Sequence, residues 1–365
     1  MKKLLPTIAE RLMRCPAAPY HEDLVAAEVV KICEEQRLFL ENDKFGNLLV
    51  RCAARTIPNP IALAAHMDHP GFVVRKRISD RKLAARFLGG VGDKYFCAGT
   101  RLIAMPGRVR ARLGRRLREG RRDFEIELDS NFAGKAQYAV WDLPEFSSRK
   151  GILRGRVCDD LIGVATILTV LAELRGKKAG ANVVGVLTRA EEVGFQGALM
   201  VAESKRLDCG SLVISLETSR ELPPVKMGKG VILRVGDKAS IFDSAATRFL
   251  AEVGCKLKKR DRNFEFQRAL MSGGTCEATA YQEYGYRCAA VCVALGNYHN
   301  CAGKDKIGAE YVSASDAISM ARLLAESARQ WRNFDQFAGR LPKRLAGLAR
   351  EGKRELVKRK LQVSG

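Results

Sequence analysis

The chain has 365 residues, 47% of them hydrophobic, and its 63 Lys and Arg against 41 Asp and Glu give a formal charge of +22. This size suits one large α/β domain with a smaller companion. No run reaches the roughly 18 apolar residues of a membrane span, and Pro6, Glu10 and Arg11 break the apolar start too early for a signal peptide, so we expect a cytoplasmic protein without a membrane partner.

Two helices are predicted before the first strand. Residues 7–14 have helical character, residues 16–22 (PAAPYHE) interrupt it, and an amphipathic helix follows over residues 23–36. His21 lies just before that second helix, where we expect it to cap or to pack. Residues 43–50 then predict a turn that leads into a strand.

The apolar run at residues 61–68 (IALAAHMD) predicts a buried strand that closes on two polar side chains, His66 and Asp68. Residues two apart face the same side of a strand, so Asp68 is expected either to accept a hydrogen bond from the imidazole or to face the same cavity. The turn predicted at residues 69–71 favours a metal ligand over a histidine buried in the core. The sequence identifies no partner for His69.

The pattern changes between residues 78 and 146, where closely spaced glycines and short alternating segments replace helical periodicity. This pattern predicts a small all-β insertion that folds outward from the sheet. We place the insertion at residues 76–148, a discontinuous catalytic α/β domain at residues 1–75 and 149–335, and a basic C-terminal tail at residues 336–365.

Residues 155–174 predict an amphipathic helix that begins just after Asp159 and Asp160. Aspartate is a preferred N-cap residue, so one of the two carboxylates is expected to cap this helix. The other is then free to bind a ligand. The spacing alone leaves open which aspartate takes which role.

Residues 182–198 (NVVGVLTRAEEVGFQGA) combine a β-branched run with two adjacent carboxylates, Glu191 and Glu192. Such a run is typical of a parallel strand buried on both faces, and ligands bind beyond the ends of these strands. Adjacent side chains point in different directions, so one glutamate can hold a metal ion while the other moves protons. The alternative is a solvated pair at a helix start, where carboxylates suit the helix dipole.

Two later apolar runs also close on side chains that bind metals. Residues 211–217 end in Glu217, and residues 289–299 end in His299. Between them lies a Gly-rich turn at residues 272–278 (SGGTCEA). These runs are further strand candidates whose ends add one carboxylate and one imidazole to the set.

The C-terminal part begins with an amphipathic helix predicted over residues 313–329, and Pro342 and the glycines argue against a long helix in the tail beyond it. The basic excess is concentrated in residues 108–122 and 340–360, without interleaved aromatic residues or a nucleic-acid-binding motif. We therefore expect a solvated basic surface and no specific nucleic-acid binding. The eleven cysteines include no CxxC pair, so we expect reduced and mostly buried thiols.

Five of these side chains, two imidazoles and three carboxylates, form a set suited to metal ions: His66, Asp159, Glu192, Glu217 and His299. The set fits two divalent ions better than one, because each ion takes one histidine and one carboxylate while the third carboxylate bridges. We expect zinc, with cobalt or manganese as alternatives. Two ions lower the pKa of a water between them, and the unligated Glu191 is our choice for the base that takes its proton.

Several segments, in this order, resemble the glutamyl aminopeptidase and tetrahedral aminopeptidase family of di-metal peptidases over about residues 15–330: PAAPYHE, DKFGN, AAHMDHPGF, LGGVGDKYF, CDDLIG, AEEVGFQGA, MGKG and SGGT. The resemblance implies an α/β fold with a mixed, largely parallel twisted sheet flanked by helices. It also implies a β-rich insertion used in oligomer assembly, often of a dodecameric tetrahedral shell. We therefore expect a homo-oligomer between a dimer and a dodecamer.

The resemblance further implies that His66 and Glu217 hold one ion and that Glu192 and His299 hold the other. Asp159 would bridge the two ions. It gives Asp68 an orienting role and Glu191 the role of general base. Both roles agree with those that the residues themselves suggest.

The chain departs from the family pattern at several positions. His69 and Pro70 stand where an acidic and an apolar residue usually follow the His66 motif. Glu217 stands where aspartate is usual, and Cys276 and Glu277 stand where the family commonly has aspartate and alanine. Glutamate keeps the charge of aspartate, so we expect metal binding to persist. Substrate recognition is less constrained by the resemblance.

These observations favour a metal-dependent aminopeptidase that hydrolyses the N-terminal residues of short peptides. The alternative is a hydrolase of the same clan that acts on another amide, such as an N-acyl amino acid or a modified dipeptide. A non-catalytic scaffold that binds metal or nucleic acid is a third hypothesis. A cage with a basic lumen would favour acidic peptides.

Overall fold

The computed structural model describes residues 1–54, 58–175 and 182–359. The α-helices of these residues, α1 to α9 in chain order, are Leu4–Met13, Asp23–Glu35, Leu161–Leu174, Gln196–Glu203, Ser244–Arg260, Glu277–Glu283, Ala314–Gln330, Phe334–Ala338 and Arg340–Lys358. Their strands, β1 to β19, are Phe39–Asn42, Leu48–Arg51, Ile61–His66, Gly71–Ser79, Lys82–Leu88, Arg101–Met105, Val109–Arg116, Asp123–Leu128, Tyr138–Trp141, Ser147–Arg149, Ile152–Gly155, Val183–Thr188, Leu212–Arg220, Val231–Gly236, Phe266–Leu270, Arg287–Gly296, Cys301–Ala302, Lys306–Ile307 and Glu310–Ser313.

The larger sheet is mixed, with a parallel centre. Its main order is β1-β2-β12-β3-β13-β16-β19-β11-β10, and β14 and β15 extend it from β16. Strands β12, β3, β13 and β16 are parallel neighbours, whereas β2, β14 and β19 join this centre in the antiparallel sense. The predicted α/β class with a mixed sheet flanked by helices is confirmed, and its parallel part is concentrated in the middle of the sheet.

Helices cover both faces of this sheet, which explains the continuous apolar runs of its central strands. In β3, Ile61, Leu63 and Ala65 pack into the core under α1, α3, α5 and α7. Ala62 and Ala64 point to the other face and pack with residues of α4 and α6. Alternate side chains of β3 thus pack into the two hydrophobic cores on opposite faces of the sheet.

Helix α3 lies in the middle of the larger core. Twelve of its fourteen residues are buried, because the helix packs between α1, α7 and strand β3. The predicted amphipathic helix is therefore apolar around most of its surface, as expected for an interior helix. Asp160 is its N-cap and accepts a hydrogen bond from the Gly163 N–H at 3.1 Å.

Six strands that follow β3 along the chain form a closed barrel, in the order β4-β5-β8-β7-β6-β9. Its interior is aromatic, with Phe72 against Phe87, Phe124 and Trp141 at centroid distances of 4.9 to 5.9 Å. The predicted all-β insertion is thus a barrel whose strands run from Gly71 to Trp141. The exact domain boundaries stay a prediction.

The tail differs from its prediction. Residues 340–358 form α9, although Pro342 and two glycines lie in it. Pro342 falls in the first turn, where a backbone N–H has no intrahelical acceptor, so its missing N–H costs no hydrogen bond. Among the described residues, no helix combines the length and the apolar character needed to cross a bilayer.

Candidate metal centre

Two overlapping groups of metal-capable atoms lie at one edge of the large sheet. Single ligand atoms of His66, Asp159 and Glu217 lie within 4.8 Å of one another, and so do those of Asp159, Glu192 and His299. Asp159 belongs to both groups. The structure therefore brings together all five side chains that the sequence proposes as ligands.

The sheet topology accounts for this convergence. Strands β3, β12, β13 and β16 are parallel, so their carboxyl ends lie at the same edge. His66 is the last residue of β3, while Glu192 and His299 lie in short 3-10 turns after β12 and β16. Asp159 stands just before α3, next to the capping Asp160. Asp160 thus takes the capping role, and Asp159 is the aspartate that faces the other candidate ligands.

Glu217 reaches the same edge in a different way from the one predicted. It does not close its strand, because β13 continues to Arg220 alongside β16. The pairing of β13 with β3 stops at Ser215 opposite Ala64. Two residues further on, Glu217 is level with His66, where the end of β3 opens a space beside it.

Backbone carbonyls fix the orientation of both imidazoles. The Nδ1 atom of His66 lies 3.1 Å from the carbonyl oxygen of Asp68, and that of His299 lies 2.8 Å from the carbonyl oxygen of Gly90. Since a carbonyl only accepts, Nδ1 carries the proton in each ring. When the ring is neutral, its Nε2 presents a lone pair to the centre, which is the tautomer that a metal-bound histidine adopts.

The Nε2 atoms face the carboxylates directly. The Nε2 of His66 lies 3.7 Å from Oδ1 of Asp159. The Nε2 of His299 lies 3.4 Å from Oδ2 of Asp159 and 3.2 Å from Oε1 of Glu192. The two oxygens of Asp159 are therefore divided between the two imidazoles, as a bridging ligand requires.

Three carboxylate oxygens at the centre are buried and, among the described residues, have no hydrogen-bond partner: Asp159 Oδ1, Glu192 Oε1 and Glu217 Oε1. A buried and unsatisfied carboxylate oxygen is strongly destabilising unless a cation lies beside it. Because these oxygens converge with two imidazole nitrogens, the donor set fits a pair of divalent ions.

The pKa shifts of the carboxylates also indicate that this buried centre is stabilised by positive charge. Burial raises the pKa of Glu217 to about 8 and that of Glu191 well above its usual range, although the nearby His66 opposes both shifts. Burial also opposes ionisation of Asp159, but the facing imidazoles of His299 and His66 hold its pKa below the usual range. Without metal, protons would supply the charge that a cation otherwise brings.

The centre opens into a cleft. Glu191 lines this cleft together with His66, Asp159 and Glu217, yet it belongs to neither group of ligand atoms. Its carboxylate is thus next to the centre and uncommitted, which is the position required of a base.

The family comparison agrees with this geometry. A model of the M42 glutamyl aminopeptidases matches residues 135–307, which include Asp159, the two glutamates of the turn after β12, Glu217 and His299. The matched segment covers just under half of the chain. It confirms the resemblance to this family that the sequence motifs predict.

Solved structures share the fold of this chain at low sequence identity. The TET1 peptidase of Pyrococcus horikoshii is 19% identical, with 89% of this chain and 99% of that chain covered and a TM-score of 0.73. The TET aminopeptidase of a marine sediment archaeon of the Thaumarchaeota is 20% identical, with coverages of 91% and 98% and a TM-score of 0.75. An aminopeptidase of Desulfurococcus kamchatkensis is 21% identical, with coverages of 90% and 95% and a TM-score of 0.72.

Asp68 organises the turn that carries Glu191 and Glu192. Its carboxylate accepts the N–H of Glu191 at 2.9 Å and that of Glu192 at 3.1 Å. It lies 3.6 Å from Nδ1 of His66, so the hydrogen bond of the imidazole goes to the main-chain carbonyl of Asp68. One residue thus orients a metal-facing histidine and the two glutamates.

Glu22 supports the same turn and was not identified from the sequence. Its carboxylate is buried and accepts the N–H of Ala190 at 3.1 Å and a hydrogen bond from Nε of Arg189 at 2.8 Å. Ala190 has a left-handed backbone conformation, with φ of 52°. The only signal of this role in the sequence is the place of Glu22 in the segment PAAPYHE, which lies far from the glutamates along the chain.

His69, one of the departures from the M42 pattern, is buried behind the centre. Its Nδ1 lies 2.9 Å from the carbonyl oxygen of Asp159, and its Nε2 lies 3.0 Å from Oδ1 of Asn300. The amide nitrogen of Asn300 donates to the carbonyl of Arg156 at 2.7 Å, so its oxygen faces His69. Both ring nitrogens therefore lie within hydrogen-bond distance of an oxygen, and the ring joins the main chain at Asp159 to the residue that follows His299.

Glu310 holds the other side of the Asp159 peptide. Its Oε2 accepts the N–H of Cys158 at 2.7 Å and the N–H of Asp159 at 3.1 Å. Burial raises the pKa of Glu310 to about 7, while the nearby His69 opposes the shift. Asp159 is thus fixed at its N–H by Glu310 and at its C=O by His69.

The remaining departures lie beside the centre. Glu277 is buried, accepts a hydrogen bond from the Thr188 hydroxyl at 2.5 Å, and has a pKa that burial raises to about 7. Cys276 is buried in the smaller core and donates its N–H to Asp237 at 3.0 Å. Neither residue is in a group of converging ligand atoms.

We expect Asp68→Ala to weaken metal binding by about ten- to a hundredfold, because it leaves two N–H groups of the glutamate turn without acceptors. Titration of the metal-free protein with zinc against a competing chelator measures this change. Asp80→Ala is the control, since the side chain of Asp80 is 86% exposed on the barrel. Parent-like affinity in Asp68→Ala would contradict the orienting role.

We expect His69→Phe to weaken metal binding roughly tenfold, since it fills the space of the ring but removes both polar contacts of its nitrogens. His69→Gln keeps one donor and should fall between this variant and the parent. His21→Phe is the matched control, because His21 stacks on Tyr138 of the barrel and lies outside the centre. Equal affinities in all three variants and the parent would show that His69 only fills space.

Proposed function

We propose that the protein is an aminopeptidase that uses two divalent ions to remove the N-terminal residue of short peptides. The observation that supports this proposal best is the convergence of three unpartnered carboxylate oxygens and two Nε2 atoms next to an uncommitted Glu191. In the proposal, His66 and Glu217 hold one ion, Glu192 and His299 hold the other, and Asp159 serves both. Zinc is our first choice, with cobalt or manganese as alternatives.

In this proposal, each protein group has a defined task. The ions supply Lewis acidity, which lowers the pKa of a water and polarises the scissile carbonyl. Glu191 removes a proton from the attacking water and then delivers it to the leaving amine. Its raised pKa suits this exchange, because a carboxyl that is a very weak base could not accept the proton.

Two arginines favour acidic side chains at the peptide N-terminus. Arg220 and Arg234 line the cleft, and the guanidinium of Arg220 stacks 5.3 Å from the ring of Tyr298. Arg234 is only 3% exposed, and its Nε has no hydrogen-bond partner among the residues described. A buried donor beside the cleft is best satisfied by an anionic group of the substrate.

The alternative substrate class is an amide without a free amine, such as an N-acyl amino acid. A panel of aminoacyl p-nitroanilides and N-acyl amino acids, assayed with zinc, cobalt and manganese, separates the two classes. We expect cleavage of the free-amine substrates. Cleavage of blocked substrates alone would overturn the aminopeptidase and leave the metal-dependent hydrolase.

We also propose a homo-oligomer, since TET1 of Pyrococcus horikoshii can assemble into a tetrahedron or a large octahedral shell. The barrel presents basic side chains outward, among them Arg75, Lys76 and Lys135 beside an open groove. A cage lined by such a surface would attract acidic peptides. Light scattering should give a mass of several chains, and a monomer would remove this proposal.

Glu191→Gln should lower kcat about a hundred- to ten-thousandfold while both ions stay bound, because the amide cannot accept the proton of the water. The metal content of the purified variant and its turnover of a p-nitroanilide are measured together. Glu203→Gln, on the exposed end of α4, is the control. A variant with two ions and the turnover of the parent would disprove Glu191 as the base.

Arg234→Gln should lower kcat/KM for a glutamyl substrate at least about tenfold more than for a leucyl substrate, because only the former places a charge beside the guanidinium. Arg262→Gln, on an exposed part of the chain after α5, is the control. Equal losses for both substrates would mean that Arg234 stabilises the cleft but does not recognise the N-terminal side chain of the substrate.

A further inference from the structure

The last helix of the described chain, α9, lies on the outside of the molecule. Its first residue, Arg340, pairs with Glu252 and lies 4.9 Å from the ring of Phe337. No residue of the helix is buried. Ordinary packing against the body of the protein therefore does not account for its sequence.

One face of α9 is apolar. Leu341, Leu345, Leu348 and Leu356 follow each other at helical spacing and fall on one side of a helix with 3.6 residues per turn. These leucines are 39%, 54%, 51% and 75% exposed. A row of exposed leucines on one side of a helix indicates a contact surface, whereas scattered single ones would need no explanation.

The rest of the helix surface is basic. Residues 340–359 contain eight Lys or Arg and two Glu. Five of the cations form no ion pair within the described chain: Lys343, Arg344, Arg350, Lys353 and Arg354. Glu355, by contrast, lies 3.7 Å from Lys358 and 3.8 Å from Arg359. The helix thus offers free positive charge beside its leucine row.

The leucine row and the unpaired cations of α9 together indicate which kind of partner fits this helix. A second copy of α9 would bring like charges together, and Gly352 and Glu355 interrupt the leucine spacing that a paired helix needs. A nucleic acid would match the charge but would leave the leucines in water. An anionic lipid surface matches both faces, because leucines enter the acyl boundary while Lys and Arg contact phosphate groups.

We propose that α9 is an amphipathic anchor that lies in the surface of membranes containing anionic lipids. Its leucine face is buried in the headgroup region, and its cations remain at the phosphates. The helix does not cross the bilayer, which agrees with the absence of a spanning helix among the described residues. The proposal replaces the sequence-based expectation of no membrane partner, and it is independent of the proposed peptidase chemistry.

Flotation of the full chain with vesicles tests the anchor. Phosphatidylcholine vesicles with phosphatidylglycerol should carry the protein, and vesicles of phosphatidylcholine alone should not. Replacing Leu345 and Leu348 with glutamine should weaken binding by roughly tenfold for each leucine, without any change of charge. Ala346→Gln, outside the leucine row, is the matched control and should bind as the parent does.

Three outcomes would overturn the proposal. Unchanged binding by Leu345→Gln with Leu348→Gln would mean that the basic surface of the whole molecule attracts lipid without α9. Equal binding to neutral vesicles would remove the role of the cations. A smaller oligomer in the double variant, with no vesicle binding by the parent, would make a second copy the occupant of this face. Thermal unfolding checks that each variant stays folded.

Discussion

The structure depends on holding several carboxylates together out of water. Asp68, Asp159 and Glu217 are 0%, 3% and 7% exposed, and they lie beside the two glutamates of one short turn. Removing such groups from solvent costs several kcal/mol for each charge, and two imidazoles do not compensate for that. Divalent cations would compensate, and three of the oxygens left without hydrogen bonds, on Asp159, Glu192 and Glu217, lie in the groups that include the imidazoles.

Hydrogen bonds to other residues fix the position of four metal-facing groups: His66, Asp159, Glu192 and His299. Asp68 holds the glutamate turn through two N–H groups, and its carbonyl holds the ring of His66. His69 and Glu310 hold the peptide of Asp159 from opposite sides. These contacts involve main-chain atoms, so they set the direction of the ligands before any ion binds. A preorganised centre loses less conformational entropy on binding metal.

Much of the centre follows from the sequence because strand ends are local features. His66, Glu192 and His299 close apolar runs, and parallel strands bring such ends together without further information. The rest depends on tertiary contacts. The strand of Glu217 continues because β16 offers it hydrogen bonds beyond β3. The partners of His69 lie 90 and 231 residues away, a separation that no periodicity encodes. Helix α9 formed against expectation because its proline occupies the tolerant first turn.

The barrel is part of the centre as well as an insertion into the sheet. The carbonyl that orients His299 belongs to Gly90, in the loop between barrel strands β5 and β6, and a Cβ at Gly90 would lie only 3.2 Å from the ring. The hairpin after His299 packs Cys301 and Ile307 against the aromatic core of the barrel. Any movement of the barrel would therefore shift an imidazole that faces the shared carboxylate. Because a metal-bound histidine depends on the partner of its second nitrogen, contacts made by the barrel would reach the chemistry through this one hydrogen bond.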